Sequence, residues 1–209
     1  MGLLIVDREI IPEKSKILYS DSFCAGWEEN WDITGGEWTA ENGILTGLYR
    51  GNAGGIIYLK RPFVGDVMLD FYGTIIPPCT NDMNCTWRSK GWNNEINDSD
   101  TAYIAGINGW WHGYTGIERY PECSPRVLSA AFKAEPGKEY HVNAGIVGNM
   151  SFVAIEGVVI SILSENNPIY DPDCNKVGLG TYCSHIAFRN FKVLKPFCMD
   201  AETDYIPEF

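Results

Sequence analysis

The sequence predicts an all-β protein in which two antiparallel sheets pack face to face as a sandwich. Short apolar runs separated by Gly, Asn, Asp and Pro recur along the 209 residues, and helical periodicity is hard to find. Aromatic residues make up 13% of the chain and 22 residues are glycine, which favours strands and turns over a helical bundle. About a dozen strands in a chain of this length fit one sandwich domain over residues 1–209.

The predicted strands of the first half are short and are separated by turn residues. They cover residues 1–7, 17–23, two arms within 37–47, 55–59 and 64–72. Asn42-Gly43 between the two arms is a strong signal for a tight hairpin. Alternation in the last segment places Val67, Leu69 and Phe71 on one face of the strand.

The second half has a clearer strand pattern. Residues 140–147, 150–155 and 158–163 are apolar runs joined by Gly148-Asn149 and Glu156-Gly157, which predicts a three-stranded meander. Two prolines and several Asn and Asp residues make 166–175 a loop. Residues 176–182 and 186–194 are the closing strands.

Residues 81–122 combine tryptophans with charged side chains. Four of the seven tryptophans lie in this segment, beside several Asp, Glu and Arg residues. Flat aromatic faces next to polar groups are typical of a ligand groove, and saturated rings with many hydroxyls suit such a groove. The segment therefore predicts a surface for an oligosaccharide or a glycoside. The side chains expected to contact it are Arg88, Trp92, Glu95, Trp110, Trp111, Tyr114 and Tyr120.

The run WWHGYTGIER within this segment carries the candidate chemistry. Interpreted as one strand, residues 110–120 place His112 and Glu118 on the same face. These two side chains are the candidate base and acid, and the guanidinium of Arg119 or Arg88 is available to a developing oxyanion. The alternative is that His112 has a structural role at the rim of a binding site.

Charge and targeting signals exclude several classes of protein. The net charge is −11 at pH 7, which argues against nucleic acid and against an anionic membrane surface. No apolar run approaches the ~20 residues of a membrane span, and the N-terminal residues lack the pattern of a secretory signal. We therefore expect a cytoplasmic protein whose seven cysteines are free thiols.

Three groups of residues resemble a known family. The opening residues are Asp21, Phe23, Trp27, Trp31, Trp38, Gly43 and Leu45, the central hairpin has Glu156-Gly157, and the closing strands have Gly178, Gly180, Phe188, Asn190 and Phe191. Together they resemble the concanavalin A-like (LamG-type) jelly roll, and in particular the YesU-like and 3-keto-disaccharide hydrolase-like bacterial proteins. The resemblance implies a sheet whose concave face binds plant glycosides or oligosaccharides, and elimination on a 3-keto-sugar as one reaction.

The resemblance also bears on metals and carboxylates. It implies a calcium ion between the terminal loops, with Asp21 and Asn190 as candidate ligands. Apart from the resemblance, His112 and Glu118 could form a metal site with His141 or His185, which the sequence spacing neither supports nor excludes. Laminarinase-like members of the fold resemble ExDxxE on one strand, and this chain has no such motif.

Three functions remain open from the sequence. The first is an enzyme that cleaves a glycoside by hydrolysis or elimination. The second is a non-catalytic, lectin-like sugar-binding module, and the third is a partner subunit of a sugar-processing complex. A homo-oligomer is compatible with each of them.

Overall fold

The computed structural model describes residues 2–51 and 54–201. Within these ranges the chain forms twenty strands, three short 3-10 helices and no α-helix. The 3-10 helices are Pro12–Lys14, Trp27–Asn30 and Trp111–Gly113. The strands are β1 (Leu3–Ile5), β2 (Arg8–Ile10), β3 (Lys16–Asp21), β4 (Trp31–Ile33), β5 (Glu37–Glu41), β6 (Ile44–Tyr49), β7 (Gly55–Leu59), β8 (Val67–Ile75), β9 (Met83–Ser89), β10 (Trp92–Asn93), β11 (Asp98–Ser99), β12 (Ala102–Trp110), β13 (Tyr114–Tyr120), β14 (Ser124–Ser129), β15 (Glu139–Val147), β16 (Met150–Ile155), β17 (Val158–Ser164), β18 (Lys176–Thr181), β19 (Ser184–Lys195) and β20 (Cys198–Asp200).

Two antiparallel sheets form the sandwich, which confirms the predicted fold class. One sheet has the order β14-β13-β12-β9-β18-β7-β4. The other has the order β17-β16-β15-β8-β19-β6-β5, and β3 pairs with β19 beside this path. We call them the seven-stranded and the eight-stranded sheet. No helix among the described residues is long and apolar enough to span a bilayer.

The main core lies between the two sheets. Phe71 and Phe188 of the eight-stranded sheet meet edge to face at 5.7 Å between ring centroids. Trp87 of the seven-stranded sheet is fully buried, and its indole N–H donates to Ser151 Oγ of the opposite sheet at 3.2 Å. The polar atom of a large buried ring is therefore satisfied across the sandwich.

A third layer covers part of the eight-stranded sheet. Strands β1, β2 and β20 form a small antiparallel sheet. Its buried Leu3, Ile5 and Ile10 pack against Met68 and Phe152, which point away from the main core. The outward-facing side of the eight-stranded sheet is apolar at this place, so the N-terminal strands shield it from water.

Most predicted strands are confirmed, although the bounds shift by a few residues. Asn42 and Gly43 have φ of 53° and 79° at the turn between β5 and β6, as a tight hairpin requires. The meander is β15-β16-β17, and residues 166–175 are a loop. The sequence interpretation missed β9, although Met83, Cys85 and Trp87 alternate there with polar residues.

The Trp87–Ser151 contact predicts a measurable contribution to stability. Trp87→Phe removes the indole donor, leaves Ser151 Oγ without this partner and opens a cavity. We expect the free energy of unfolding to fall by about 1–3 kcal/mol in urea titrations. Trp111→Phe is the matched control, because this side chain is 67% exposed and its loss should change stability little. Equal losses in the two variants would contradict the structural role of Trp87.

Candidate functional site

A cavity of about 260 Å³ lies on the outer face of the seven-stranded sheet. Ile56, Ile104 and Glu118 line it, and their neighbours Ile57, Ala105 and Ile117 point into the core. Strict alternation along β7, β12 and β13 therefore decides which side chains reach the cavity.

The floor of the cavity is a row of small residues across four strands. Gly116 pairs with Gly106, Gly106 with Asn84, and Asn84 with Gly180. Only Asn84 contributes a side chain to this row, and neighbouring side chains lie within 3.1 Å of the position that a Cβ would occupy on each glycine, so the glycines make room for the groups around the cavity. Bulky residues on the same face of the sheet flank these glycines and form the sides of the cavity.

Two carboxyl groups face each other over Gly106. Asp82 Oδ1 lies 3.0 Å, and Glu118 Oε1 3.7 Å, from the position that a Cβ on Gly106 would occupy. The two oxygens are therefore no farther apart than the sum of these distances. Asn84 Oδ1 lies 3.4 Å from the same point. A side chain at position 106 would fill the space between the two acids.

The backbone conformation of Asp82 and the hydrogen bonds to its carbonyl oxygen fix its position beside Gly106. Its φ of 136° lies in a region that side chains rarely adopt. Its carbonyl oxygen accepts hydrogen bonds from Asn84 Nδ2 at 3.2 Å and from Ser184 Oγ at 2.9 Å. The side chain is 8% exposed and packs against Gly109, and Oδ1 has no hydrogen-bond partner within the described structure. Asp82 also lines the cavity, so its buried and unpaired oxygen makes it a candidate ligand-binding group.

Burial keeps both acids protonated to unusually high pH. Burial, and then repulsion from Glu118, raise the pKa of Asp82 to about 8. Burial raises the pKa of Glu118 to about 7, although hydrogen bonds from Trp110 and Tyr120 oppose this shift. Because the groups interact, the pair titrates as a unit. Between about pH 7 and about pH 8 the pair therefore holds about one proton.

Aromatic donors surround Glu118. Trp110 Nε1 donates to Glu118 Oε1 at 3.1 Å, and its ring lies against the backbone of Gly116. Tyr120 also lines the cavity, and its hydroxyl accepts a hydrogen bond from Cys123 Sγ at 3.2 Å. These donors favour the ionised form of Glu118.

The structure brings Trp110, Glu118 and Tyr120 together but sets His112 apart. The strand expected over 110–120 is interrupted, because Trp111–Gly113 form a 3-10 turn between β12 and β13. His112 has a φ of 60° and is exposed at the tip of this hairpin. Its ring lies 6.0 Å from that of Tyr114, which is half-buried on β13. His112 and Glu118 therefore do not share one strand face as predicted.

The two candidate arginines face the loop after β17 and do not line the cavity. Arg119 pairs with Glu165 at 3.2 Å and donates to the Asn167 carbonyl at 2.9 Å. Arg88 is buried, donates to the Ile169 carbonyl at 2.5 Å and lies 3.7 Å from Asp66. Both guanidinium groups hold the loop against the sheet.

Trp92 and Glu95 belong to the hairpin of β10 and β11. Trp92 is half-buried and packs in a small apolar cluster with Tyr58, Ile104 and Tyr120. Trp92 therefore packs in the same cluster as Tyr120, which lines the cavity. Glu95 is exposed in the turn, where its backbone N–H donates to Asn93 Oδ1 at 2.9 Å.

The geometry at Asp21 does not fit the expected calcium site. Asp21 Oδ1 accepts from the Phe23 N–H at 2.7 Å, and Oδ2 accepts from Tyr19 Oη at 2.8 Å and from Trp31 Nε1 at 2.9 Å. Three donors surround this carboxylate, whereas a cation needs acceptors around it. Asn190 is an exposed bulge residue with a φ of 53°. Among the described residues no three His, Cys, Asp or Glu side chains group as metal ligands.

Several cavity residues were not predicted from the sequence. Asp82, Asn84, Asp98, Cys123 and Tyr182 all line the cavity. The polar positions of the alternating run 82–86 are the signal that could have identified the first two. Asp98 lies on the short strand β11, and Cys123 and Tyr182 lie in turns, so the sequence pattern does not reveal that they approach the sheet.

The raised pKa of Asp82 predicts that stability falls as the pH rises. Between about pH 4 and about pH 8 the unfolded chain releases the Asp82 proton while the folded protein retains it, so rising pH favours unfolding. Asp82→Asn cannot titrate, and we expect its free energy of unfolding to fall less than that of the wild type over this range, by up to about 5 kcal/mol. Urea titrations at several pH values measure this difference. Parallel pH profiles for the two proteins would show that Asp82 is not buried as described.

The sequence matches no protein-family model and no curated protein. Solved structures share the fold. A protein of unknown function with a galectin-like fold from Bacillus subtilis has a TM-score of 0.67 at 12% identity, over 87% of this chain and 96% of that one. The carbohydrate-binding module CBM66 from Bacillus subtilis has a TM-score of 0.62 at 14% identity, over 79% and 95%. A candidate glycosyl hydrolase from Parabacteroides distasonis has a TM-score of 0.55 at 14% identity, over 84% and 98%. At these identities the similarity establishes the fold, a jelly-roll sandwich of the concanavalin A-like type.

Proposed function

We propose that the protein binds a glycoside over the Gly106 floor and cleaves it with Asp82 and Glu118. The observation that carries this proposal is the pair of buried carboxyl groups on either side of Gly106. Two carboxyl groups of which one holds a proton and one is ionised are the minimum machinery for glycoside cleavage. Similarly folded structures described as a carbohydrate-binding module and a glycosyl hydrolase support the same substrate class.

The environments of the two acids divide their roles. Asp82 has the higher pKa and an unpaired Oδ1, so it is the general acid. Glu118 accepts hydrogen bonds that stabilise its charge, so it is the carboxylate that acts on the anomeric carbon. Different surroundings separate the pKa values of two otherwise similar groups.

We propose a two-step reaction, which is compatible with the upper limit that the two distances from the Gly106 Cβ position set on the separation of the carboxyl oxygens. Retaining enzymes hold the carboxyl groups ~5–5.5 Å apart, and inverting enzymes hold them ~6.5–9.5 Å apart to admit a water molecule. The protonated acid gives its proton to the glycosidic oxygen as the C1–O bond breaks, and the carboxylate of Glu118 bonds to C1. Water then replaces Glu118 at C1 and returns a proton to Asp82. The product keeps the anomeric configuration of the substrate.

Two other functions follow from the same surface. Binding without cleavage is favoured by the similarity to a carbohydrate-binding module. Elimination on a 3-keto-sugar, as the YesU-like resemblance implies, would need one of the same carboxylates as the base. The cytoplasmic location, the partner-subunit role and the homo-oligomer stay predictions.

Substitution of the two acids tests the proposal. We expect Asp82→Asn and Glu118→Gln each to lower kcat/KM by about 10³-fold on a panel of aryl glycosides and oligosaccharides, because each removes one proton-transfer or nucleophilic group. Glu37→Gln, on the edge strand of the other sheet, is the matched control. Cleavage that survives in both acid variants would refute the assignment. Binding without any product from the wild type would identify a binding module.

The pH dependence provides a second test. Below about pH 7 both acids are protonated and the carboxylate is lost, whereas above about pH 8 both are ionised and the proton donor is lost. We expect a bell-shaped plot of kcat/KM with its maximum between these values. A plot that stays flat from about pH 5 to about pH 9 would contradict the role of the pair.

A further inference from the structure

A second cleft adjoins the carboxyl cavity along the hairpin of β12 and β13. It encloses about 510 Å³ and shares Gly109 and Trp110 with the first cavity. Trp110 forms the boundary between them, because its indole N–H donates to Glu118 on one side while the residue also lines the cleft. A chain-like ligand seated over Gly106 would therefore extend into this cleft.

The buried side chain of Asn108 connects the two loops that border the cleft. Asn108 is 2% exposed and has a φ of 59°. Its Nδ2 donates to the carbonyl oxygens of Ala134 at 2.9 Å and Thr80 at 3.3 Å, and its Oδ1 accepts from the Ala134 N–H at 2.8 Å. These three bonds fix two separate loops at one point. They also hold Lys133 beside the hairpin tip, where its Cε lies 3.2 Å from the position of a Cβ on Gly113.

The cleft is cationic in an otherwise acidic protein. Lys133 and His112 line it, and none of its lining residues is an Asp or a Glu. No ion pair to Lys133 occurs among the described residues, whereas Lys138 and Lys176 each pair with a carboxylate. In a chain with a net charge of −11, this cleft therefore presents a lysine and no carboxylate. Such a group is available to an anion.

An exposed ring completes the site. Trp111 is 67% exposed, and it meets Trp110 edge to face at 5.8 Å between ring centroids. The left-handed backbone of His112 and Gly113, with φ of 60° and 83°, turns the hairpin tip sharply. The cleft is also lined by Lys133 and by the amide side chain of Asn81. The exposed indole therefore offers a face on which a ring can stack, with polar side chains nearby.

We infer that this second cleft binds an acidic sugar unit next to the bond that is cleaved. The substrate is then an oligosaccharide in which a carboxylate- or sulfate-bearing ring stacks on Trp111 and pairs with Lys133 and His112. This inference rests on the proposed function, since the carboxyl pair defines where the adjacent unit lies. It adds a charge requirement that the carboxyl cavity alone does not impose.

Repulsion in one cavity and attraction in the other both favour an acidic ring in the second cleft. The neighbouring cavity already holds two acids close together, so an anionic ring there would add repulsion. In the second cleft the same ring meets an ammonium and an imidazole. Charge-assisted hydrogen bonds are about twice as strong as neutral ones. An acidic unit is therefore directed to one cleft and excluded from the other.

Matched oligosaccharides and a lysine variant test the inference. Calorimetry on Glu118→Gln, which should bind without turnover, compares a neutral oligosaccharide with its uronic-acid and sulfated counterparts. We expect the acidic ligands to bind about tenfold more tightly, and Lys133→Met to abolish that preference. With Glu118 intact, the ratio of kcat/KM for the acidic substrate to kcat/KM for the neutral substrate should be about tenfold lower in Lys133→Met than in the wild type. Lys195→Met, on β19 of the other sheet, removes the same charge as a control.

The outcomes separate this inference from the proposed function. Neutral and acidic oligosaccharides that are bound and cleaved equally well would overturn the inference and leave the proposed function intact. An acidic preference that persists in Lys133→Met, or that Lys195→Met removes equally, would also overturn it. If no oligosaccharide binds or is cleaved, the proposed function fails and this inference fails with it. A preference for only one of the two acidic ligands would identify the anionic group.

Discussion

Side-chain alternation along β9, β12 and β13 is the constraint on which both the core and the site depend. Each of these strands places one set of residues between the sheets and the other set in the cavity. Trp87 fixes the facing of β9, because its ring and its indole N–H are both satisfied only inside the sandwich. A shift of one residue would turn polar Asn84 into the core and apolar Cys85 toward the cavity, so packing of the core determines the position of the site.

Gly106 allows two acids to come together that are distant in the sequence. Strand β12 pairs with β9 on one side and with β13 on the other, and both pairings meet at Gly106. The pair is costly, because two buried carboxyl groups cannot both be ionised without strong repulsion. Sharing about one proton relieves that repulsion. Burial of the pair destabilises the folded chain at high pH, and in the proposed reaction it provides one acid and one carboxylate near neutrality.

The sequence predicted the architecture better than the chemistry, and the reason is local geometry. Alternation, Asn-Gly and the apolar runs of the meander are local signals, so the sandwich could be inferred from them. Trp110, Glu118 and Tyr120 were found because aromatic and acidic residues cluster there. Asp82 was missed as a partner for Glu118, since its place depends on a φ of 136° and on strand register. The interpretation of residues 110–120 as one strand failed at His112, whose left-handed backbone reverses the chain.

The two adjoining cavities differ in charge, and in the proposed complex this difference would orient the ligand. The net charge of −11 repels anionic glycans from most of the surface, so attraction has to come from a local site. Lys133 and His112 provide it beside Trp111, and Trp110 separates them from the carboxyl pair. A ligand with one acidic ring can satisfy both cavities in only one direction. That direction places the bond next to the acidic ring over Gly106, where Asp82 and Glu118 face each other. Screening by salt should weaken this preference, since Lys133 is exposed.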